Sequence, residues 1–132
     1  MRLPNPGKVA SREDFVAFIA DLRASLDFAL SQPMPPDFVD LRGGWINWAN
    51  PWQFQEAMTA CLDDSRITDL VAASEFGKFV LEPVEVPSEG QWLDGNGLRS
   101  WLQSIEAYAA NETRPTDWAL MAMAFHCGVT YE

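Results

Sequence analysis

Carboxylates are the commonest side chains in this sequence that could carry chemistry. The 132 residues include 19 Asp and Glu against nine Lys and Arg, a formal charge of −10 with the single histidine neutral. Two acids at a suitable spacing can serve as a general acid with a nucleophile or base, or can hold a divalent cation. Asp63-Asp64, and Asp94 with Glu89, are the pairs available for that work. No cleft signal surrounds them, so they are expected on a solvated face, and no catalytic residue is assigned. A nucleophilic Ser or Cys needs a positioned base, and His126 falls within the most apolar stretch of the chain, where a structural role is expected. With no C-x-x-C and no second histidine, neither a zinc site nor any other metal site is expected. Gly43-Gly44 and Gly95-Asn96-Gly97 lack the remainder of either nucleotide fingerprint, and no cofactor is expected.

The acids are unevenly placed. From Glu56 to Asp94 nine of them stand against Arg66 and Lys78, so this stretch carries −7 of the −10. Such a segment can steer a basic protein partner and oppose wrong ones; alternatively it is a solvated, self-repelling region that contributes solubility. The charge argues against direct nucleic-acid binding, and none is expected, because phosphate contacts need clustered Lys and Arg. The candidate partner-binding residues are Asp63, Asp64, Asp69, Glu75, Glu82 and Glu85, with Trp45, Trp48 and Trp52 as aromatic anchors. Core packing is the competing place for those three tryptophans.

The elements that must position these residues read mainly as helices. Ser11-Arg12-Glu13-Asp14 opens a first helix, in which Phe15, Phe18, Ile19, Leu22 and Leu26 form one apolar stripe. It is expected to end near Leu30, before Pro33. Asn50-Pro51 caps a second helix with Phe54, Ala57, Met58, Cys61 and Leu62 on its apolar side. Residues 66 to 76 suit a shorter helix stopped by Gly77. Asn96-Gly97 and Pro115-Thr116-Asp117 open two more, the last apolar on every side and closed by Gly128. The expected fold is mainly α, one compact domain of four to five helices, with at most a short edge strand near residues 79–86. Residues 1 to 10 read as an extended arm.

Cys61 and Cys127 sit among apolar neighbours with no secretory leader ahead of them, and are expected to be reduced, buried thiols. No stretch approaches the ~20 apolar residues that span a bilayer, so a cytoplasmic protein is expected, with no membrane partner.

In the C-terminal third, Trp92-x-x-x-Asn96-x-Leu98-x-x-Trp101-Leu102-x-x-Ile105, then Pro115-x-x-Trp118-Ala119-Leu120-Met121-Ala122 and a terminal Tyr131-Glu132, resemble an uncharacterised family of short acidic bacterial proteins. In that family a W-x-N motif opens a helix and the chain ends in Y-E. Arg12-Glu13-Asp14-Phe15-Val16-Ala17-Phe18-Ile19 is similar to the family's opening helix, so the resemblance covers about residues 11–30 and 90–132. Residues 31–89 are then a family-specific insertion. The resemblance implies an immunity or accessory factor of bacterial conflict systems. The functional expectation is a non-enzymatic immunity protein or antitoxin that occludes a basic toxin or nuclease domain through the acidic segment. The alternative is a structural or adaptor domain acting through an apolar surface, as a homodimer; a two-carboxylate hydrolase stands behind both.

Overall fold

The structure, a computed structural model, describes residues 3–31, 45, 51–84 and 96–131. Among these residues there are six helices and no strand. Helix α1 spans Arg12–Leu30, and Ser11 caps it by accepting the Asp14 N–H on Oγ at 3.1 Å, with Glu13 and Asp14 in the positive first turn. Its apolar stripe is buried, with Phe15, Ile19, Leu22 and Leu26 fully so. Ahead of it, the expected extended arm instead holds a 3-10 turn at Pro6–Lys8, capped by Asn5, after which Val9 enters the core.

Helix α2, Pro51–Asp64, starts where Pro51 predicts; its expected cap, Asn50, lies outside the described residues. The helix ends in a Schellman turn, with the Ile67 N–H on the Leu62 carbonyl and the Arg66 N–H on that of Asp63, both at 3.0 Å. Arg66 occupies the left-handed position with φ of 60°, where glycine is usual.

The next stretch departs from expectation. In place of one helix over 66–76 there are two, α3 at Thr68–Ala72 and α4 at Glu75–Leu81. Ser74 makes the break, because its Oγ accepts the Gly77 N–H at 2.9 Å and caps α4. Gly77 therefore lies inside a helix. Its role is close approach: a Cβ there would stand 1.6 Å from the Val71 carbonyl oxygen. The expected edge strand is also absent from its described part, since residues 79–81 are the last turn of α4 and 82–84 are irregular; 85–86 lie outside the described residues. Phe79-Val80-Leu81 is an apolar run too short for its period to separate helix from strand, and the Ser74 cap decides it.

Helix α5, Asn96–Asn111, and helix α6, Trp118–Thr130, begin as expected, the latter with Asp117 accepting the Leu120 N–H at 3.0 Å. Gly128 does not close α6, which runs two residues further. It lets α6 lie against α2, for a Cβ there would be 2.5 Å from Cε1 of Phe54. The packing pairs α1 with α5 and α2 with α6, while α6 also touches α1 and α3. Phe125 of α6 joins the aromatic groups of the core, with its ring 5.8 Å from Phe15, 5.9 Å from Phe54 and 5.7 Å from Trp101.

Across the α2–α6 contact Cys61 and Cys127 form a disulfide, with Cα atoms 6.0 Å apart. That spacing is ordinary for a bridge. The expectation of two free, buried thiols is therefore corrected: Cys61 is buried, Cys127 is half-buried, and the helix pairing that makes them neighbours joins positions 66 residues apart. No helix among the described residues is long and apolar enough to cross a membrane.

Candidate functional site

Helix α2 has a second face opposite its apolar stripe. Trp52, Gln55, Glu56, Thr59, Ala60 and Asp63 recur at helical spacing along it and line a groove of about 460 Å³. The other wall is the segment leaving α4, Leu81, Pro83 and Val84. Gln55 holds that wall in place. Its buried carboxamide donates to the Val80 and Glu82 carbonyls at 2.8 and 2.6 Å, and its Oε1 accepts the Val84 N–H at 3.0 Å. The Leu81–Pro83 segment is a ridge, because a second groove of about 560 Å³ lies on its far side between Glu75, Lys78, Glu82 and Tyr108.

The expected partner-binding residues fall into different places. Trp52 and Asp63 come together in the first groove, and Glu75 and Glu82 in the second. Asp64 and Asp69 are exposed and line neither groove. Trp48 and Glu85 lie outside the described residues. Trp45 is not an exposed anchor. It is 1% exposed, its indole N–H donates to Ser25 Oγ at 2.8 Å, and Ser25 in turn donates to the Leu22 carbonyl at 2.7 Å. A tryptophan with its polar edge satisfied on α1 gains more from burial than from solvent exposure.

Charge pairing is sparse on this face, although Asp14, Asp21 and Asp117 elsewhere among the described residues also meet no cation. Arg23 meets Glu106 at 2.6 Å and Arg99 meets Asp27 at 2.5 Å, both pairs joining α1 to α5. Arg114 binds Glu112 at 2.8 Å, and Lys78 meets the exposed Glu75 at 3.3 Å. Among the described residues no cation pairs with Glu56, Asp64, Asp69 or Glu82. The Asp63 carboxylate accepts the Thr68 hydroxyl and likewise meets no cation there. Arg66, the cation in the turn between α2 and α3, is exposed.

The groups that could support catalysis are not assembled with this face. His126 Nδ1 is buried without a hydrogen-bond partner among the described residues, and burial pushes its pKa below the usual value. Cys127 beside it is committed to the disulfide. Glu112 has its carboxyl held at about 2 by hydrogen bonds from the Arg114 side chain and backbone N–H. Its own carbonyl accepts Arg12 at 3.0 Å, so this cluster ties the α5–α6 connection to α1. Among the described residues no three His, Cys, Asp or Glu side chains gather where they could hold a metal ion. Among the described residues Leu70 and Met123 are the exposed large apolar side chains.

Gln55, Glu56 and Ala60 are groove residues that the apolar stripe of α2 conceals when the sequence is read. The spacing Trp52-x-x-Gln55-Glu56-x-x-Thr59-Ala60-x-x-Asp63 was the available signal, a second helical face with one aromatic end. Together the fold and this face define a mainly helical protein in which, among the described residues, Glu56, Asp63, Asp64, Asp69 and Glu82 meet no cation. Comparison with protein-family models, with curated proteins and with solved structures finds no match to the chain in any of the three.

Proposed function

We propose that the protein is a non-enzymatic binding domain whose α2–α3 face docks a basic protein, acting as an immunity protein or antitoxin by occlusion. The observation that carries the reading is the division of charge. Arg12, Arg23, Lys78, Arg99 and Arg114 pair with Glu13, Glu106, Glu75, Asp27 and Glu112, while among the described residues Glu56, Asp63, Asp64, Asp69 and Glu82 have no cation, and outside that stretch the same holds for Asp14, Asp21 and Asp117. Unpaired surface carboxylates repel one another, and a partner bearing Lys and Arg relieves that repulsion while gaining association rate. A toxin or nuclease that uses its cations to hold substrate would lose them to these carboxylates.

The experiment is titration of the purified chain against the basic partner isolated from its native host. Raising salt from about 0.05 to about 0.5 M should weaken the complex at least ~tenfold. Changing Asp63, Asp64 and Glu82 together to Asn, Asn and Gln should weaken it similarly at low salt, and Asp21→Asn on α1 should leave it unchanged. Affinity indifferent both to salt and to the triple change contradicts the reading.

A further inference from the structure

We infer that the groove between α2 and the 81–84 segment receives a segment of the partner in which an apolar side chain stands between two Lys or Arg residues. This rests on the acidic-face reading above and assigns its centre. The groove joins two kinds of surface. Trp52, Ala60, Leu81 and Val84 give it apolar walls, and Glu56 and Asp63 stand on one of those walls. The two carboxylates are seven residues apart on one helix, a separation of about 10 Å along its axis.

A single cation spans neither that distance nor the apolar stretch between. Two cations match it when they lie seven residues apart on a helix, or about three apart in an extended chain. The side chain between them then enters the groove at Ala60, the smallest side chain of the α2 wall. Among the described lining residues the buried polar group that could read a small polar ligand, Gln55, is spent on the backbone of Val80, Glu82 and Val84. What remains in the described lining to recognise an occupant is apolar contact and negative charge, with the Thr59 hydroxyl beside them. From Trp52 to Asp63 the lining runs about 16 Å along α2, the reach of a peptide segment.

Selection of a random displayed peptide library on the immobilised full chain tests the assignment. Enriched peptides should place an apolar residue between two Lys or Arg, and a synthetic copy should lose at least ~tenfold in affinity to Ala60→Trp and to Glu56→Lys. Both positions are exposed on α2, and melting temperature checks that the variants fold; Thr59→Trp blocks the same groove if Ala60→Trp does not. No enrichment, enrichment of neutral or acidic peptides, or unchanged affinity for the folded blocking variant overturns the inference. Binding that falls with salt and with Glu56→Lys but ignores the blocking variant removes the groove and leaves the acidic face standing. Binding indifferent to all of them removes both.

Discussion

The side chain of Gln55 holds the backbone of Val84 across 29 residues of sequence, accepting its N–H at 3.0 Å while donating to the carbonyls of Val80 and Glu82. One carboxamide thereby fixes the irregular segment after α4 against α2 and creates the second wall of the groove. Gln55→Ala leaves two carbonyls and one N–H to find water at a partly buried place. The expected cost is about 1–3 kcal/mol in urea denaturation, together with weaker binding of any groove ligand. Unchanged stability would mean that the segment is held by other contacts.

Two glycines set the distances between helices. Gly77→Ala drives a Cβ into the backbone carbonyl of Val71, which cannot rotate away, whereas Gly128→Ala meets the Phe54 ring, which can shift. Gly77→Ala should therefore be the more damaging, at about 3 kcal/mol or more, against about 1–3 kcal/mol for Gly128→Ala. Phe54→Leu should relieve part of the second penalty and none of the first. Thermal denaturation of the single and double variants checks the order.

The Cys61–Cys127 bridge closes a long loop between α2 and α6, with a sequence separation of 66. Loop-closure entropy for that length corresponds to about 4 kcal/mol. Reduction, or Cys61→Ala with Cys127→Ala, should lower the melting temperature by ~10–15 °C while leaving the helical circular dichroism at low temperature intact. Identical melting with and without reductant would contradict a formed bridge in the folded protein.

Glu112 supplies a pH signature. Its side chain is 2% exposed and its carboxyl is held at about 2, below the ordinary 4.5, by Arg114. A group with a depressed folded pKa contributes stability that is present above the unfolded value and is lost as pH falls through the folded one. The stability difference between wild type and Glu112→Gln should accordingly be largest above about pH 4.5 and shrink toward pH 2, read by urea denaturation at each pH. A difference independent of pH would mean that Glu112 acts through shape alone.

Local punctuation was legible in the sequence, and contacts between distant positions were not. Ser11, Pro51 and Pro115-Thr116-Asp117 mark helix starts through atoms within a few residues, and each start falls where those residues predict. Gly77 and Gly128 read as helix stops because a glycine's neighbour in space, here the Val71 carbonyl and the Phe54 ring, is invisible to local spacing. Trp45 reads as a candidate anchor for the same reason, since its partner Ser25 lies 20 residues away on α1. The acids of the candidate site were recognisable as a charge excess. Which of them stay unpaired depends on where the arginines of α1, α5 and the α5–α6 connection reach, and that is a property of the packing.

The central claim is that partner binding uses α2, α3 and the segment after α4. Hydrogen exchange of the chain, free and bound to its native partner, tests it most directly. Slowed exchange is predicted in Pro51–Asp64, Thr68–Ala72 and residues 80–84, with α1 and α5 unchanged around the Arg23–Glu106 and Arg99–Asp27 pairs. Protection confined to α1 and α5, with α2 and α3 exchanging as in the free protein, would contradict the account.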